Sequence, residues 1–280
     1  MSTLIQPAVR AWLEELEKEL CWPYTPSNIA GGHDFTHVKR MILLGLRIAA
    51  TGKLDFDMGE FEAAAWLHNL DRTRSLKDRI KARGEEWAKL HLEEYLRLDP
   101  DEDDRERLIH SKGVEMTCFD RLRGGPFDGE AQARIVDAVM QHNKKDDDLE
   151  RDSTLLTAIR IADKLDRFGA LGVLASAAFR GSDLLAYDPD QPFDYLSTVE
   201  GKLKSLYNDL FRILEWYGML PYDWAREMVV LKRMDFFVNF IRTLGEEIAE
   251  ATGKPNWSEG DIKKALGQYY DQVAIETIPH

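Results

Sequence analysis

Almost every long segment of the chain places hydrophobic residues at the spacing of an α-helix. The first clear stripe consists of Val38, Met41, Leu44 and Ile48. A second helix is predicted to begin at Asp57, because Glu60 follows at capping-box spacing, and its apolar stripe ends at His68. Further helices are predicted over residues 84–98, 104–122, 130–142, 153–179, 195–217, 222–250 and 258–270. Because alternating β-type runs with tight hairpin signals are lacking, the pattern predicts an all-α fold.

The breaks between these helices are short and show no long linker, internal repeat or low-complexity tract. They fall at residues 22–32, 98–104, 123–129 and 186–193. We therefore expect one helical domain over residues 1–250, with residues 251–280 as an appended C-terminal helix and tail.

Composition narrows the class of protein without identifying it. The 280 residues are 44% hydrophobic and 31% charged, which is typical of a globular chain, and the net charge of −13 argues against binding a nucleic-acid duplex. Two cysteines, Cys21 and Cys118, are too few for a disulfide framework and favour a reducing compartment. The most apolar uncharged run, residues 168–179, is too short to cross a bilayer. We expect a cytoplasmic protein with no membrane partner.

Three polar residues interrupt the apolar stripes. His37 lies four residues before Met41, His68 ends its own stripe, and Asp163 follows Ile159 by four residues. Singly, each histidine is readily explained as a hydrogen-bonded core residue, and the aspartate as a cap or an arginine partner. Together they favour a metal site, since a buried carboxylate must be neutralised and imidazole with carboxylate suits Fe, Mn, Co, Ni or Zn.

These residues belong to segments that resemble a known family. HDFTHVKRMILLGLRIA, AAAWLHNLDR and IRIADKLDRFGALGVLA are similar to the HD-domain superfamily of metal-dependent phosphohydrolases. That signature is a His, a His-Asp pair and a distant Asp, which His37, His68 and Asp163 match. EGKLKSLYNDL and AREMVVLKRMDFFVNFI resemble the C-terminal helices of the small predicted HD hydrolases. The resemblance implies a single HD-domain helical bundle that holds a divalent ion. The candidate metals are Fe, Mn, Co, Ni, Zn and Mg.

One position departs from the family pattern. Asn69 stands where the pair has its aspartate, and an amide oxygen is a neutral ligand that does not bridge two ions as a carboxylate does. Asp71 is about 200° further round a continuous helix, so it replaces Asn69 only if the helix ends there. Asn69 therefore implies either a weakened metal site or one that has lost its ion.

Two-metal members of the superfamily add two histidines between the pair and the last aspartate. His110, with Gly113 three residues on, and His142, on the stripe of Ile135 and Val139, stand in the matching order. The alternative is that both are surface or helix-end histidines.

The resemblance implies metal-dependent hydrolysis of a small phosphate ester, with a nucleotide as one candidate. Asp71, Arg72 and Asp166 are the candidate catalytic residues. The candidate substrate-binding cations are Arg72, Lys145, Lys164 and Arg167, for which solvated helix faces are the alternative. Two rival functions remain: a non-catalytic HD-fold protein that binds a ligand, which Asn69 favours, and a di-iron oxygenase, which Asn69 disfavours.

Overall fold

The computed structural model describes residues 5–25, 27–29, 31–96, 102–143, 153–181, 184–196, 198–199, 202–229 and 233–273. The helices described in its first part are α1 (Pro7–Cys21), α2 (Phe35–Ala50), α3 (Met58–Leu67), α4 (Lys77–Leu96), α5 (Glu102–Leu122) and α6 (Gly129–Gln141). They are followed by α7 (Thr154–Asp166), α8 (Ala170–Arg180), α9 (Leu206–Glu215), α10 (Asp223–Val229), α11 (Asp235–Thr252) and α12 (Ser258–Leu266). Short 3₁₀ turns cover Leu70–Arg72, Arg74–Leu76 and Gly267–Gln272.

The all-α prediction is confirmed. The strands that the described residues contain, β1 (Thr198–Val199) and β2 (Lys202–Leu203), are two residues long and form one antiparallel pair. None of the described helices is long and apolar enough to cross a membrane.

Two long helices predicted from the sequence are shorter or divided, and a third, predicted over 222–250, is described as α10 and α11, with residues 230–232 outside the described part. The helix predicted over 153–179 is two helices, because Gly169 has a φ of 88° and ends the helical path between α7 and α8. The helix predicted over 195–217 begins only at Leu206, where Ser205 caps α9 by accepting from the Asn208 N–H. Both corrections arise from backbone conformations, at Gly169 and Ser205, that the spacing of hydrophobic residues does not predict.

Cα distances divide the chain into two compact units, residues 1–162 and 163–280, and the division falls inside α7. The expected domain over residues 1–250 with an appended tail stays a prediction. Within the second unit, α12 packs against α9 and α11, and the Tyr207 hydroxyl donates to Asp261 at 3.1 Å. Burial raises the pKa of the Asp261 carboxyl to about 6.

Helix α3 is the centre of the first unit, and all ten of its residues are buried. A helix that is apolar on every side belongs inside a core. Its two carboxylates are neutralised by arginines from neighbouring helices: Glu60 accepts from Arg134 of α6, and Glu62 accepts from Arg10 of α1 at 2.9 and 3.2 Å. These pairs offset part of the cost of burying two charges in the central helix, although burial still raises the pKa of the Glu62 carboxyl.

Helix α2 lies close against α3 because one of its residues has no side chain. A Cβ atom added to Gly45 would overlap the ring of Phe61, which is itself fully buried. The separation of the two helices is therefore set by a glycine facing an aromatic ring.

We predict that Gly45→Ala lowers the free energy of unfolding by about 1–3 kcal/mol, because overpacking forces a buried side chain or a helix to move. Chemical denaturation checks this result. Gly129→Ala is the matched control, since a Cβ there meets no atom within 4 Å. Equal stability of the two variants would contradict the packing argument.

Candidate metal centre

His37 lies in the first turn of α2, and the cap of that helix fixes its position. The Asp34 carboxylate accepts from the backbone N–H groups of Thr36 at 2.9 Å and His37 at 3.2 Å. Such a cap satisfies donors that have no partner within the helix. The His37 side chain is fully buried as a result of this placement.

His68 follows directly after the last residue of α3 and is also buried. Its Nδ1 is 2.7 Å from the Ala65 carbonyl oxygen. A carbonyl only accepts hydrogen bonds, so Nδ1 carries the proton and Nε2 carries the lone pair. The hydrogen bond from Nδ1 to the Ala65 carbonyl fixes the orientation of the ring, as is usual for metal-binding histidines.

Ligand atoms of His37, His68 and Asp163 lie within 4.8 Å of one another. The two Nε2 atoms are 3.2 Å apart. Two nitrogen ligands of one tetrahedral ion are separated by about 3.3 Å, given metal–nitrogen bonds of about 2.0–2.1 Å. Asp163 belongs to α7, the continuous helix whose residues up to 162 lie in the first unit. Two imidazoles and a carboxylate at these separations fit a divalent transition-metal ion.

Asn69 contacts the cluster through its side-chain amide, whose Nδ2 is 2.6 Å from His68 Nε2. Because that nitrogen carries the lone pair, the amide donates an N–H to it, and Asn69 would offer Oδ1 to an ion only after its amide rotates by 180°. It contributes no charge to the site. The carboxylate of Asp163 is accordingly the only negative group in the metal cluster found among the described residues.

Helix α3 ends at Leu67, before Asn69. The direction of the Asp71 side chain is therefore not fixed by the geometry of a continuous helix. Asp71 lies in the 3₁₀ turn and is 3.5 Å from the Arg72 Nε. Burial raises the pKa of the Cys118 thiol, and the nearby Asp71 carboxylate raises it further. Asp71 therefore lies near α5. The cluster found among the described residues does not include Asp71.

The structure separates the two further histidines. His142 caps the end of α6, its ring centroid is 5.2 Å from that of His68, and its Nδ1 is 2.7 Å from the Val139 carbonyl oxygen. His110 is exposed on α5. Of the pair suggested by the two-metal family members, His142 alone lies beside the His68 ring.

The predicted catalytic and substrate-binding residues occupy different surroundings. Arg167 is buried, and its guanidinium is 3.5 Å from an Asp163 carboxylate oxygen. Asp166 is buried, whereas Lys164 is partly exposed and the Arg72 side chain is 42% exposed. Lys145 lies outside the described residues.

Two residues near the site were not identified from the sequence. Asp34 is the cap of α2, and an aspartate just before a predicted helix was a readable signal for it. His33 has its ring centroid 5.9 Å from that of His37, four residues later, and this four-residue spacing was a readable signal even though His33 precedes α2.

A cavity of about 370 Å³ lies at the other end of α3. Its lining includes Asp57, Glu60, Arg134 and Thr154. Because α3 has ten residues, this end is about 15 Å from His68, so the cavity is separate from the histidine cluster.

Comparison with known proteins finds similarity in structure only. No protein-family model and no curated protein matches the sequence. YpgQ of Bacillus subtilis, solved in complex with ADP, is 18% identical with a TM-score of 0.53, covering 86% of this chain and 96% of its own. A structural-genomics target from Lactobacillus plantarum is 15% identical with a TM-score of 0.56, covering 89% and 99%. The fold is shared. These likenesses support the HD-like helical fold and carry no information on Asn69.

We expect His68→Ala to lower the affinity for Mn²⁺ or Co²⁺ by at least tenfold, because it removes a nitrogen ligand from a cluster of three. Isothermal titration calorimetry measures the affinity. His91→Ala, an exposed histidine on α4, is the control and should bind like the parent. Equal binding by both variants would mean that the ion binds elsewhere.

Proposed function

We propose that the protein is a metal-dependent phosphohydrolase acting on a small phosphate ester, with a nucleotide as the substrate class. The observation that carries this proposal is the cluster of the buried His37 and His68 with the partly exposed Asp163, in which 3.2 Å separates the two imidazole nitrogens. HD-like solved structures support it at the level of the fold.

A divalent ion held by these residues would supply polarisation of a phosphoryl oxygen and a water of lowered pKa. The chain's own groups orient the ligands. Ala65 holds the His68 ring through Nδ1, and the Arg167 guanidinium lies 3.5 Å from the Asp163 carboxylate, whose charge it offsets. The burial of both histidines limits competition from bulk water for the ligand positions.

Binding a phosphate on a chain of net charge −13 requires local positive groups. Arg72 carries an exposed guanidinium just after the histidine-asparagine pair, and we assign it to the substrate phosphate with Lys164, Lys145 and Arg167. Asp71 and Asp166 are the carboxylates assigned to accept a proton or to orient a ligand. That YpgQ was solved with ADP supports a nucleoside phosphate as the substrate class.

The function is tested by phosphate release from nucleoside mono-, di- and triphosphates with Mn²⁺, Co²⁺ or Mg²⁺. We expect turnover that His68→Ala abolishes and His91→Ala preserves. Metal binding without turnover on any of these esters would reject the hydrolase and leave a binding protein.

The second candidate is a non-catalytic HD-fold protein that binds a ligand. Asn69 favours it, because the neutral amide next to His68 leaves the cluster with a single carboxylate. The same residue disfavours a di-iron oxygenase, which would need a bridging carboxylate at this position.

Asn69→Asp separates the two candidates. Adding a negative ligand beside His68 should tighten Mn²⁺ binding about tenfold or more and raise the rate of ester hydrolysis. Calorimetry and a phosphate-release assay measure the two effects.

Asn239→Asp is the control for added charge, since that side chain accepts from Arg242 in the second unit. It should change neither quantity. Unchanged metal affinity in Asn69→Asp would favour the binding protein. Tighter binding with slower turnover would show that Asn69 serves a chemistry other than simple phosphohydrolysis.

A further inference from the structure

Tyr24 lies in the segment between α1 and α2 and is fully buried. Its hydroxyl donates to the backbone carbonyl oxygen of Trp66 at 2.5 Å. Its ring stacks on the Trp66 ring with centroids 6.2 Å apart and 12° between the planes. The side chain is therefore fixed at both its ring and its hydroxyl against the end of α3.

The carbonyl that Tyr24 binds is one that the helix itself leaves without a partner. In a continuing helix, the Trp66 carbonyl would accept from the N–H of Leu70. Since α3 ends at Leu67, Trp66 is in its last turn, where carbonyls need partners from outside the helix. Tyr24 takes that place, so the chain leaves the helix at His68 without burying an unpaired carbonyl.

The backbone of Tyr24 also forms a hydrogen bond with α2, the helix that carries His37. The Tyr24 carbonyl accepts from the Phe35 N–H at 3.1 Å. Phe35 is the first residue of α2 and lies two residues before His37. Tyr24 thus contacts both chain segments that carry the buried imidazoles.

The rest of this segment strengthens the connection. The Arg74 N–H donates to the Asn28 carbonyl at 2.6 Å, and Ile29 forms an antiparallel bridge with Thr73. The Thr73 hydroxyl donates to the Asn69 carbonyl at 3.3 Å. Tyr24, Asn28 and Ile29 therefore contact the chain on both sides of the His68–Asn69 pair.

We propose that Tyr24 is a positioning residue that sets the separation of His37 and His68, and with it the affinity for the metal. The inference rests on the proposed function for its metal and on the hydrogen bonds above for its geometry. Burial raises the pKa of the Tyr24 hydroxyl well above its usual value, which favours the protonated form that donates.

The test compares the parent, Tyr24→Phe and Tyr207→Phe. Each variant loses one hydroxyl from a fully buried tyrosine ring, and Tyr207 donates to Asp261 in the second unit. We measure the thermal midpoint, Co²⁺ affinity by calorimetry, the visible absorption of bound Co²⁺, and the imidazole ¹⁵N shifts of the metal-free proteins.

We expect Tyr24→Phe to weaken Co²⁺ binding about tenfold, as loss of a supporting group around a metal site does, and to change the Co²⁺ spectrum. The metal-free His68 shift should change as well. Tyr207→Phe should lower the thermal midpoint while leaving both Co²⁺ readouts and the His68 shift at parent values. If Tyr24→Phe does not fold in buffer, the series is repeated in trimethylamine N-oxide, which favours the compact state.

Parent-like Co²⁺ affinity and His68 shift in Tyr24→Phe would overturn the positioning role while leaving the proposed function intact. A parent that binds no metal would instead reject the proposed function. The metal-free His68 shift then decides about Tyr24 alone: a change in Tyr24→Phe supports the role, and an unchanged shift rejects it.

Discussion

The rest of the candidate site depends on the burial of α3 from every side. A helix enclosed in this way leaves little room for water to hydrate its charges or the carbonyls of its last turn. Arginines from α1 and α6 neutralise Glu62 and Glu60, and Tyr24 binds the Trp66 carbonyl. With these groups satisfied, the chain can leave the helix inside the core. His68 and Asn69 are placed there as the first two residues after its end.

The burial of α3 also explains why the imidazoles of His37 and His68 lie close together inside the core. His37 is held by the Asp34 cap at the start of α2, and α2 lies close to α3 because Gly45 faces Phe61. Each ring is thus fixed by its own helix terminus rather than by flexible side chains. A pre-arranged pair of nitrogens would lose little entropy on binding an ion, which would help to offset the low charge of a cluster with one carboxylate.

The predictions from the sequence fail where a single backbone conformation interrupts a good apolar pattern. Residues 153–179 have the stripe of one helix, yet the positive φ of Gly169 divides it. Residues 195–217 read as helical, but Ser205 starts α9 and the residues before it include a short strand pair. Apolar spacing reports which face is buried and leaves the dihedral angles of individual residues undetermined.

The sequence by itself determined the all-α class and marked His37, His68 and Asp163 as polar residues on apolar helix faces, because helical periodicity is a local property. It also placed Asn69 beside His68. Only the tertiary structure decided that the three groups meet, that His142 lies near them and that His110 is exposed. Distances between helices depend on packing at positions such as Gly45 and on hydrogen bonds between remote segments, such as that from Tyr24 to Trp66. Neither follows from spacing along one chain segment, since both join residues that are far apart in sequence.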